Sequence, residues 1–375
     1  MAKIRFLKIT TNYPAYIDHV EKAHPLFSSM NYSEILEDYF YDAYGWADFW
    51  KINLEATGNF ECGEVIMNAE FLQKKWATEN KVKYSEANWK NEIALEQIKA
   101  FKPDVLFLVD QYNDNSLSTK IKQQVPSIKL LLGWDGILWH KPQTYEHMDV
   151  ILTPVKETMS FYSDKKMYFH KFGFEESVLK RLKKNNIPYE SSFTGSIIPH
   201  PDYHLSRLHL IADLSRKVDM NLWIGSFPAP NMGALKAIIK RQWKYYSSIQ
   251  QIRNNNKGEA YGLNMFNILY NSKIVFNSHG DNSPKSAANM RMTEVTGCGA
   301  LLLTDWKENI AEFFKPDEEI VTYKTSAEAI DKIKMLLKND NLRNTIAAHG
   351  QKRTLSEYSY KERMKELANF ITSTI

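Results

Sequence analysis

Polar and charged side chains are concentrated between two apolar segments in the second half of the chain. Residues 273–276 and 300–303 are predicted strands, and a helix is predicted to begin near residue 292. Ligands of open α/β sheets bind outside the carboxyl ends of the strands, so this unit is a predicted binding site. Its polar residues are Asn277, His279, Asp281, Lys285, Arg291, Glu294 and Thr296.

Glu294 and Arg291 are the main candidates for binding a ligand in this segment. An ionised carboxylate accepts hydrogen bonds from two neighbouring hydroxyl groups, and charge-assisted bonds are stronger than neutral ones. An arginine can bind a phosphate through two parallel bonds, while Lys285 can add a point charge. The alternatives are that Glu294 is a favourable charge in a first helical turn and that both cations are solvated.

The other polar residues each allow two interpretations. Asn277 either hydrogen-bonds a ligand or caps a strand end, and His279 either contacts a ligand or packs structurally. Asp281 either contributes polar contacts or forms a tight Asp-Asn turn with residue 282. Gly195 and Ser196 end a short predicted strand, where the glycine either lets the backbone approach a phosphate or simply makes a turn.

Acidic residues also follow predicted strands in the first half of the chain. Asp110 and Asp135 each come after a continuous apolar run. Either carboxylate could act as a general base or bind a hydroxyl-bearing substrate, and ordinary loop polarity is the alternative. Three further polar residues are candidates for the same sheet edge by position alone: Asn12, Tyr13 and His140.

The surrounding pattern predicts two α/β domains. Apolar strands alternate with helices in both halves, which is typical of parallel sheets. The 375 residues suffice for two domains, and a solvated surface explains the net charge of +4 without a nucleic-acid partner. The two cysteines, Cys62 and Cys298, offer neither a disulfide framework nor zinc-ligand spacing, which fits a reducing compartment.

The sequence predicts a cytoplasmic protein, with attachment to the inner face of the cell membrane as an alternative. No apolar run approaches the ~20 residues of a membrane span. The first ten residues lead into a predicted strand rather than resembling a signal peptide.

Segment 271–363 resembles the spore-maturation-type (CgeB-like) glycosyltransferases, a GT-B group related to glycosyltransferase family 4. The matching segments cover about a quarter of the chain. They are a strand ending in Asn277-Ser278-His279-Gly280-Asp281, the pattern Asn289-x-Arg291-x-x-Glu294, the run 295–305, Phe313-Phe314-Lys315-Pro316, residues 319–323, residues 349–353 and Tyr360-x-x-Arg363.

This resemblance implies an α/β fold of the GT-B type, in which two Rossmann-like domains with parallel sheets face a central cleft. Residues 1–190 would bind the acceptor and residues 191–360 a nucleotide sugar, with a helix over 361–375 crossing back to the first domain. Glu294 matches the family carboxylate that accepts hydrogen bonds from the donor ribose. The related enzymes carry another glutamate eight positions earlier, where this chain has Ser286, so inversion and retention both stay open.

The implied reaction is transfer of a sugar from a nucleotide-sugar donor to an acceptor hydroxyl, in the assembly of bacterial surface polysaccharide, lipopolysaccharide or another glycoconjugate. The catalytic candidates are Asp110, Asp135 and Arg291. The donor-binding candidates are Glu294, Arg291, Lys285, His279, Asn277, Asp281, Gly195, Ser196 and Thr296.

No permanently bound cofactor and no metal are expected, because no Asp-x-Asp pair stands in a loop between predicted strands. The expected partners are the nucleotide-sugar donor and a glycan or lipid-linked glycan acceptor. Two alternatives remain: a nucleotide-sugar epimerase of the same architecture, and a non-catalytic GT-B-shaped binding protein. Epimerisation or hydrolysis of the donor without an acceptor would distinguish the first of these.

Overall fold

The computed structural model divides the chain into two compact α/β units. It describes residues 2–110, 116–136, 145–162, 165–200, 203–225, 227, 236, 240, 242–281 and 283–375, and the candidate His140 lies outside them. Unit 1 comprises Met1–Lys171 and Tyr360–Ile375, and unit 2 comprises Phe172–Ser359. The division follows from contacts within each unit and does not test which ligand a unit binds. The acceptor and donor roles predicted for residues 1–190 and 191–360 therefore stay predictions.

Unit 1 is built on a six-stranded parallel sheet. Its order is β2-β1-β3-β4-β5-β6, and the direction of strand addition reverses between β1 and β3. Strands covered on both faces need continuous apolar residues, which explains the short runs of Leu, Val and Phe in β3 to β5. The strands are β1 (Ile4–Thr10), β2 (Phe60–Ile66), β3 (Val105–Leu108), β4 (Leu130–Trp134), β5 (Val150–Thr153) and β6 (Lys166–Phe169).

Helices cover both faces of this sheet. Trp50 stacks on Phe107 from one side, while Ile98 packs with the preceding strand residue, Leu106, from the other. Successive strand residues point to opposite faces, so these two contacts lie on opposite sides of β3. The helices are α1 (Pro14–Ala23), α2 (Tyr32–Tyr41), α3 (Phe49–Glu55), α4 (Glu70–Glu79), α5 (Trp89–Phe101), α6 (Ile121–Gln124) and α7 (Thr158–Phe161).

Unit 2 contains a five-stranded parallel sheet. The strands are β7 (Tyr189–Ser196), β8 (Met220–Gly225), β9 (Ser272–Phe276), β10 (Leu301–Asp305) and β11 (Val321–Tyr323). Their order is β11-β10-β9-β7-β8. The strand order reverses between β7 and β9, and ligands of such sheets bind in the crevice at that point.

The helices of unit 2 pack on two faces of its sheet. They are α8 (Leu205–Ser215), α9 (Trp243–Asn255), α10 (Gly262–Tyr270), α11 (Met290–Gly297), α12 (Ser326–Lys338) and α13 (Asp340–Glu357). α8, α9 and α12 share one apolar cluster with the sheet. α10 and α11 contribute no residue to that cluster and pack against the strands and each other on the opposite face. α13 adds Ile346 and Ala347 to the cluster and also packs on α11 and β10.

The last α-helix and four short 3₁₀ helices complete the described elements. α14 (Tyr360–Thr372) belongs to unit 1 and packs on α3. The 3₁₀ helices cover Pro25–Ser29, Ser118–Lys120, Glu176–Arg181 and Ile310–Glu312. In the part of the chain that the structure describes, no helix is long and apolar enough to cross a membrane.

A buried ion pair lies in the core of unit 1. Lys8 Nζ lies 3.1 Å from Glu64 Oε2 and donates to the Ala47 carbonyl at 3.2 Å. Lys8 is 0% exposed, and Trp46 and Trp50 flank its ammonium group. Burial raises the pKa of Glu64 to about 7, although Lys8 opposes that shift. Burying each of these charges away from water costs several kcal/mol of folding free energy, and only the attraction of the opposite charge offsets that cost.

Lys8→Met should destabilise unit 1 by about 3–5 kcal/mol at pH 8, because it leaves a buried carboxylate without its cation. Guanidinium unfolding measures this loss. The loss should shrink as the pH falls, since a protonated Glu64 needs no cation. The double variant Lys8→Met/Glu64→Leu is the control and should recover most of the stability. Equal destabilisation of the single and double variants would contradict this account.

Candidate functional site

Arg207 joins the two loops at the point where the strand order of unit 2 reverses. Its Nη1 donates to the Ser196 carbonyl at 3.0 Å, and its Nη2 donates to the Ser278 carbonyl at 2.5 Å. Burial lowers the pKa of Arg207 to about 10, and the nearby Asp305 opposes that shift. The side chain therefore stays charged at neutral pH and fixes the ends of β7 and β9 relative to each other.

α11 begins after the β9 loop with a charged pair. The N-cap residue Asn289 accepts a hydrogen bond from Arg291 N at 2.8 Å and donates to Asn277 Oδ1 at 3.2 Å. Arg291 Nη1 lies 2.7 Å from Glu294 Oε2 and 2.9 Å from Met265 Sδ. The structure thus brings together the predicted residues Arg291 and Glu294 and links them to Asn277 through the helix cap.

This pair combines an acceptor and a donor that are both largely buried. Among the described residues, Glu294 Oε1 has no hydrogen-bond partner. The carboxylate can accept bonds from hydroxyl groups, and the guanidinium can donate to phosphate oxygens. Hydrogen bonds to a carboxylate or from a guanidinium are charge-assisted and stronger than neutral ones.

Asn277 and Thr296 are engaged within the protein. Asn277 Nδ2 donates to Thr304 Oγ1 at 2.9 Å, and the Asn277 carbonyl accepts a bond from Tyr323 at 2.8 Å. Thr296 Oγ1 donates to the Met292 carbonyl and lies 2.6 Å from Thr354 Oγ1 on α13. Both residues therefore hold elements together, and their ligand contacts stay predictions.

Glycines shape the end of α11. A Cβ on Gly297 would lie 2.4 Å from Phe174 Cγ, so only glycine allows this close packing. Gly299 follows the C-cap residue with φ +80°, a left-handed conformation that glycine adopts at little cost. Burial raises the pKa of the intervening Cys298 thiol, which makes Cys298 an apolar packing residue rather than a nucleophile.

His279 and Asp305 form a buried pair at the ends of β9 and β10. The backbone N and the Nδ1 of His279 lie 2.9 and 2.7 Å from Asp305 Oδ1. Asp305 Oδ2 lies 3.2 Å from Lys307 Nζ. Burial favours a raised pKa for Asp305, but His279 and Lys307 outweigh it and hold the pKa well below its ordinary value. The side chain of His279 is 1% exposed, and its Nε2 has no hydrogen-bond partner.

These three residues line a pocket of about 260 Å³ that also reaches the first turns of α8 and α12. Asp281 lies in its wall and accepts a bond from Ser206 N, at the start of α8, at 3.1 Å. Asp281 therefore caps the N-terminus of α8 from its place in the polar loop after β9. Lys307 Nζ donates to the carbonyls of Ser283 and Pro284 at 2.8 and 3.2 Å, which fixes the rim.

Lys285, Gly195 and Ser196 occupy different places on this edge. The side chain of Lys285 is exposed, and its carbonyl accepts a bond from Glu308 N at 3.0 Å. Gly195 and Ser196 complete β7 beside β8, and Arg207 holds the Ser196 carbonyl. The structure does not bring these three residues into contact with the Arg291–Glu294 pair, so their binding roles stay predictions.

Asp110 and Asp135, the predicted acidic residues of unit 1, lie at strand ends, where they accept hydrogen bonds from neighbouring residues. Asp110 Oδ2 accepts bonds from Thr11 N at 2.5 Å and Thr10 Oγ1 at 3.2 Å. Asp135 is 1% exposed and accepts a bond from Tyr162 at 2.9 Å. The catalytic role of both carboxylates stays a prediction.

Asn12 and Tyr13 follow β1 in the same unit. Asn12 pairs with Asn68 through bonds of 2.9 and 2.8 Å and donates to Tyr39 at 2.7 Å. Tyr13 is exposed. Asn12 thus links the ends of β1 and β2, while Tyr13 offers an aromatic surface.

The sequence pattern does not predict Arg207, Asp305 and Lys307 as site residues. Asp305 ends a buried strand, which is the signal that identified Asp110 and Asp135. Arg207 lies on a helix among apolar residues, where an arginine gives no sign of the carbonyls it binds. Within the described ranges, no group of three His, Cys, Asp or Glu residues could hold a metal ion.

Residues 207–369 match a family model described as glycosyl transferase-like. This match includes α11, His279, Asp305 and the helices that follow. No curated protein matches the chain.

Solved structures resemble the whole chain in fold. Anabaena HepE in complex with UDP and glucose has 9% identity and a TM-score of 0.61 and covers 99% of this chain and 100% of its own. A glycosyltransferase from Rickettsia africae has 10% identity, a TM-score of 0.59 and coverage of 100% and 99%. Sucrose-phosphate synthase from Thermosynechococcus elongatus has 8% identity, a TM-score of 0.57 and coverage of 99% of both chains.

At these identities the likeness concerns the fold alone. The two parallel sheets with their helices match GT-B glycosyltransferases, and the predicted fold class is confirmed.

Asp305→Asn should destabilise the protein by about 2 kcal/mol at pH 7, because His279 and Lys307 lose an ionised acceptor. The folded-state pKa of Asp305 is lowered, so its contribution is complete above about pH 4 and disappears as the pH falls through the folded value. The difference in unfolding free energy between wild type and variant should therefore narrow below about pH 4.

Guanidinium unfolding from pH 7 to pH 3 measures this difference. Asp331→Asn is a matched control, because Asp331 is an exposed carboxylate on α12 and should show no such dependence. A difference that stays constant over this range would argue against an ionised Asp305 in the folded protein.

Proposed function

We propose that this chain is a glycosyltransferase that moves a sugar from a nucleotide-sugar donor to an acceptor hydroxyl, and that unit 2 binds the donor. The observation that carries this proposal is the Arg291–Glu294 pair at the start of α11, beyond the loop where the strand order reverses. The family match over residues 207–369 supports it. The fold shared with HepE, which was solved with UDP and glucose, also supports it.

In this proposal the two members of the pair bind different parts of the donor. Glu294 accepts hydrogen bonds from the ribose hydroxyls through Oε1, while Oε2 stays on Arg291. Arg291 faces the diphosphate. The backbone N–H groups of the first turn of α11 bind the same negatively charged group. The Asn289 cap fixes this turn to the end of β9, so the donor-binding groups are oriented before the donor arrives.

The reaction breaks the bond between the anomeric carbon and the diphosphate oxygen, and the acceptor oxygen forms the new bond. Negative charge develops on the departing diphosphate, and a fixed cation such as Arg291 stabilises that charge without reorganising at the moment of reaction. In an inverting reaction the proton of the acceptor hydroxyl passes to a general base, for which Asp110 and Asp135 are the candidates. In a retaining reaction no particular protein base is required, because the departing diphosphate can take the proton.

The proposal also places the chain more narrowly in the spore-maturation-type group, which its motif order resembles. Ser286 replaces the first glutamate of the related enzymes, is buried, and accepts a bond from Ser283 through its carbonyl at 2.8 Å. This position therefore supplies no carboxylate to the donor sugar. The proposal further includes a metal-independent reaction, an acceptor from bacterial surface glycan assembly, and a cytoplasmic location.

Glu294→Gln and Arg291→Ala should weaken nucleotide binding in different ways. Loss of a hydrogen bond to a charged group costs about 1.5–3 kcal/mol, so the Gln variant should bind both uridine and UDP at least about tenfold more weakly. The Arg291→Ala variant should lose more affinity for UDP than for uridine, because the diphosphate is the group that Arg291 is proposed to bind. If UDP gives no binding signal, another nucleoside and its diphosphate are titrated in place of uridine and UDP. Isothermal titration calorimetry measures these affinities.

Arg353→Ala and Glu357→Gln are matched controls. They disrupt a second Arg–Glu pair on a helix of the same unit and should leave nucleotide affinity unchanged. Unchanged affinity in both α11 variants would refute the proposed roles, provided that their melting temperatures match those of the controls.

A further inference from the structure

The pocket beside His279 and the Arg291–Glu294 pair lie on different faces of the unit 2 sheet. The pocket is lined by residues of α8 and α12 and by Tyr323, which belong to the face covered by α8, α9 and α12. The pair lies on α11, on the opposite face, and neither Arg291 nor Glu294 lines the pocket. The pocket is therefore a candidate for a second ligand, beyond the proposed donor site.

The acidic groups of this pocket already have partners inside the protein. Asp281 caps α8 through Ser206 N, and Asp305 binds His279 and Lys307. The pocket is also lined by the cationic side chain of Lys324 and by the first residue of α12, Ser326. A ligand that complements an ammonium group and a helix N-terminus is an acceptor, which favours an anion over a cation or a metal.

Three polar groups of the pocket wall come from different elements. His279 lines the pocket, 4% exposed, and its Nε2 has no partner although Nδ1 is fixed on Asp305. Lys324 lines the pocket with an exposed side chain whose Nζ lies 4.9 Å from the centre of the Trp306 ring. Ser326 opens the 13-residue helix α12, so its N–H has no intrahelical acceptor.

Asp305 engages one ring nitrogen of His279, because Nδ1 lies 2.7 Å from Asp305 Oδ1. The other nitrogen, Nε2, is therefore the one left for a ligand. A phosphoryl group can accept a hydrogen bond through its P–O oxygens or donate one through a P–OH group, so it would satisfy this buried nitrogen with either tautomer of the ring. The pocket volume of about 260 Å³ suits a small ligand rather than a whole nucleotide sugar.

We propose that this pocket binds a phosphoryl group, as inorganic phosphate or as part of a sugar phosphate, through His279 Nε2, Lys324 and the N–H of Ser326. The first turn of α12 adds the favourable dipole end of a helix to these groups. This site is separate from the proposed donor site, so a phosphoryl ligand and a nucleoside diphosphate bind at the same time.

Calorimetric titrations with inorganic phosphate and with glucose 1-phosphate test this proposal on the full chain. At least one ligand should show saturable binding that UDP does not displace. Preference for the ion or for the sugar phosphate identifies the source of the phosphoryl group. Lys324→Met and His279→Gln should each weaken binding about tenfold.

Two pairs of variants control for indirect effects. Lys338→Met removes an exposed lysine at the other end of α12 and should leave phosphate affinity unchanged. Ser326→Pro removes the N–H at a position where helices accept proline, whereas Ser326→Ala retains it and should bind more tightly than the Pro variant. Lys324 is exposed, so its variant should fold even if the His279 variant does not.

Three results would overturn the proposal. The first is no saturable binding of either ligand, and the second is wild-type phosphate affinity in Lys324→Met. The third is competition between UDP and phosphate, which would place the phosphoryl group in the donor site. Because phosphate is titrated alone in the first arm, a failure of donor binding does not affect that result.

Discussion

The carboxyl edge of unit 2 depends on one buried cation. Arg207 donates to the last carbonyl of β7 and to the carbonyl of Ser278 beyond β9, which are the two strands that flank the reversal of strand order. Parallel strands leave such carbonyls without partners at their ends, and burying them unpaired costs free energy. Arg207 satisfies them from the first turn of α8 and so fixes the loop from which both α11 and the His279 pocket follow.

Charge on this edge is divided between two faces of the sheet. On one face Arg291 holds Glu294, which leaves one carboxylate oxygen for hydroxyl groups. On the other face Asp305 is held by His279 and Lys307, which leaves a ring nitrogen without a partner. In both places an internal pair engages one polar atom of a side chain and leaves its other polar atom without a partner. The fold thus prepares two sets of hydrogen-bonding groups before any ligand binds.

Local patterns in the sequence predict the fold and the position of the edge, but not the contacts across it. The apolar runs predict parallel strands, and the polar loop after residue 276 predicts the edge where Arg291 and Glu294 meet. Thr296 lies two residues beyond Glu294, about 200° around the helix, which explains why its hydroxyl contacts Thr354 on α13. The His279–Asp305 and Lys8–Glu64 pairs require the register between strands, and no pattern within a single strand contains that information.

The most direct test of the account is a thermal-shift measurement with UDP, GDP, ADP, CMP and dTDP, with and without EDTA. A ligand at 100 times its dissociation constant stabilises the folded state by about 2.7 kcal/mol, which is a measurable shift. We expect one nucleotide to raise the melting temperature and EDTA to leave that shift unchanged. No shift with any nucleotide would contradict a donor site in unit 2, and a shift abolished by EDTA would contradict metal-independent binding.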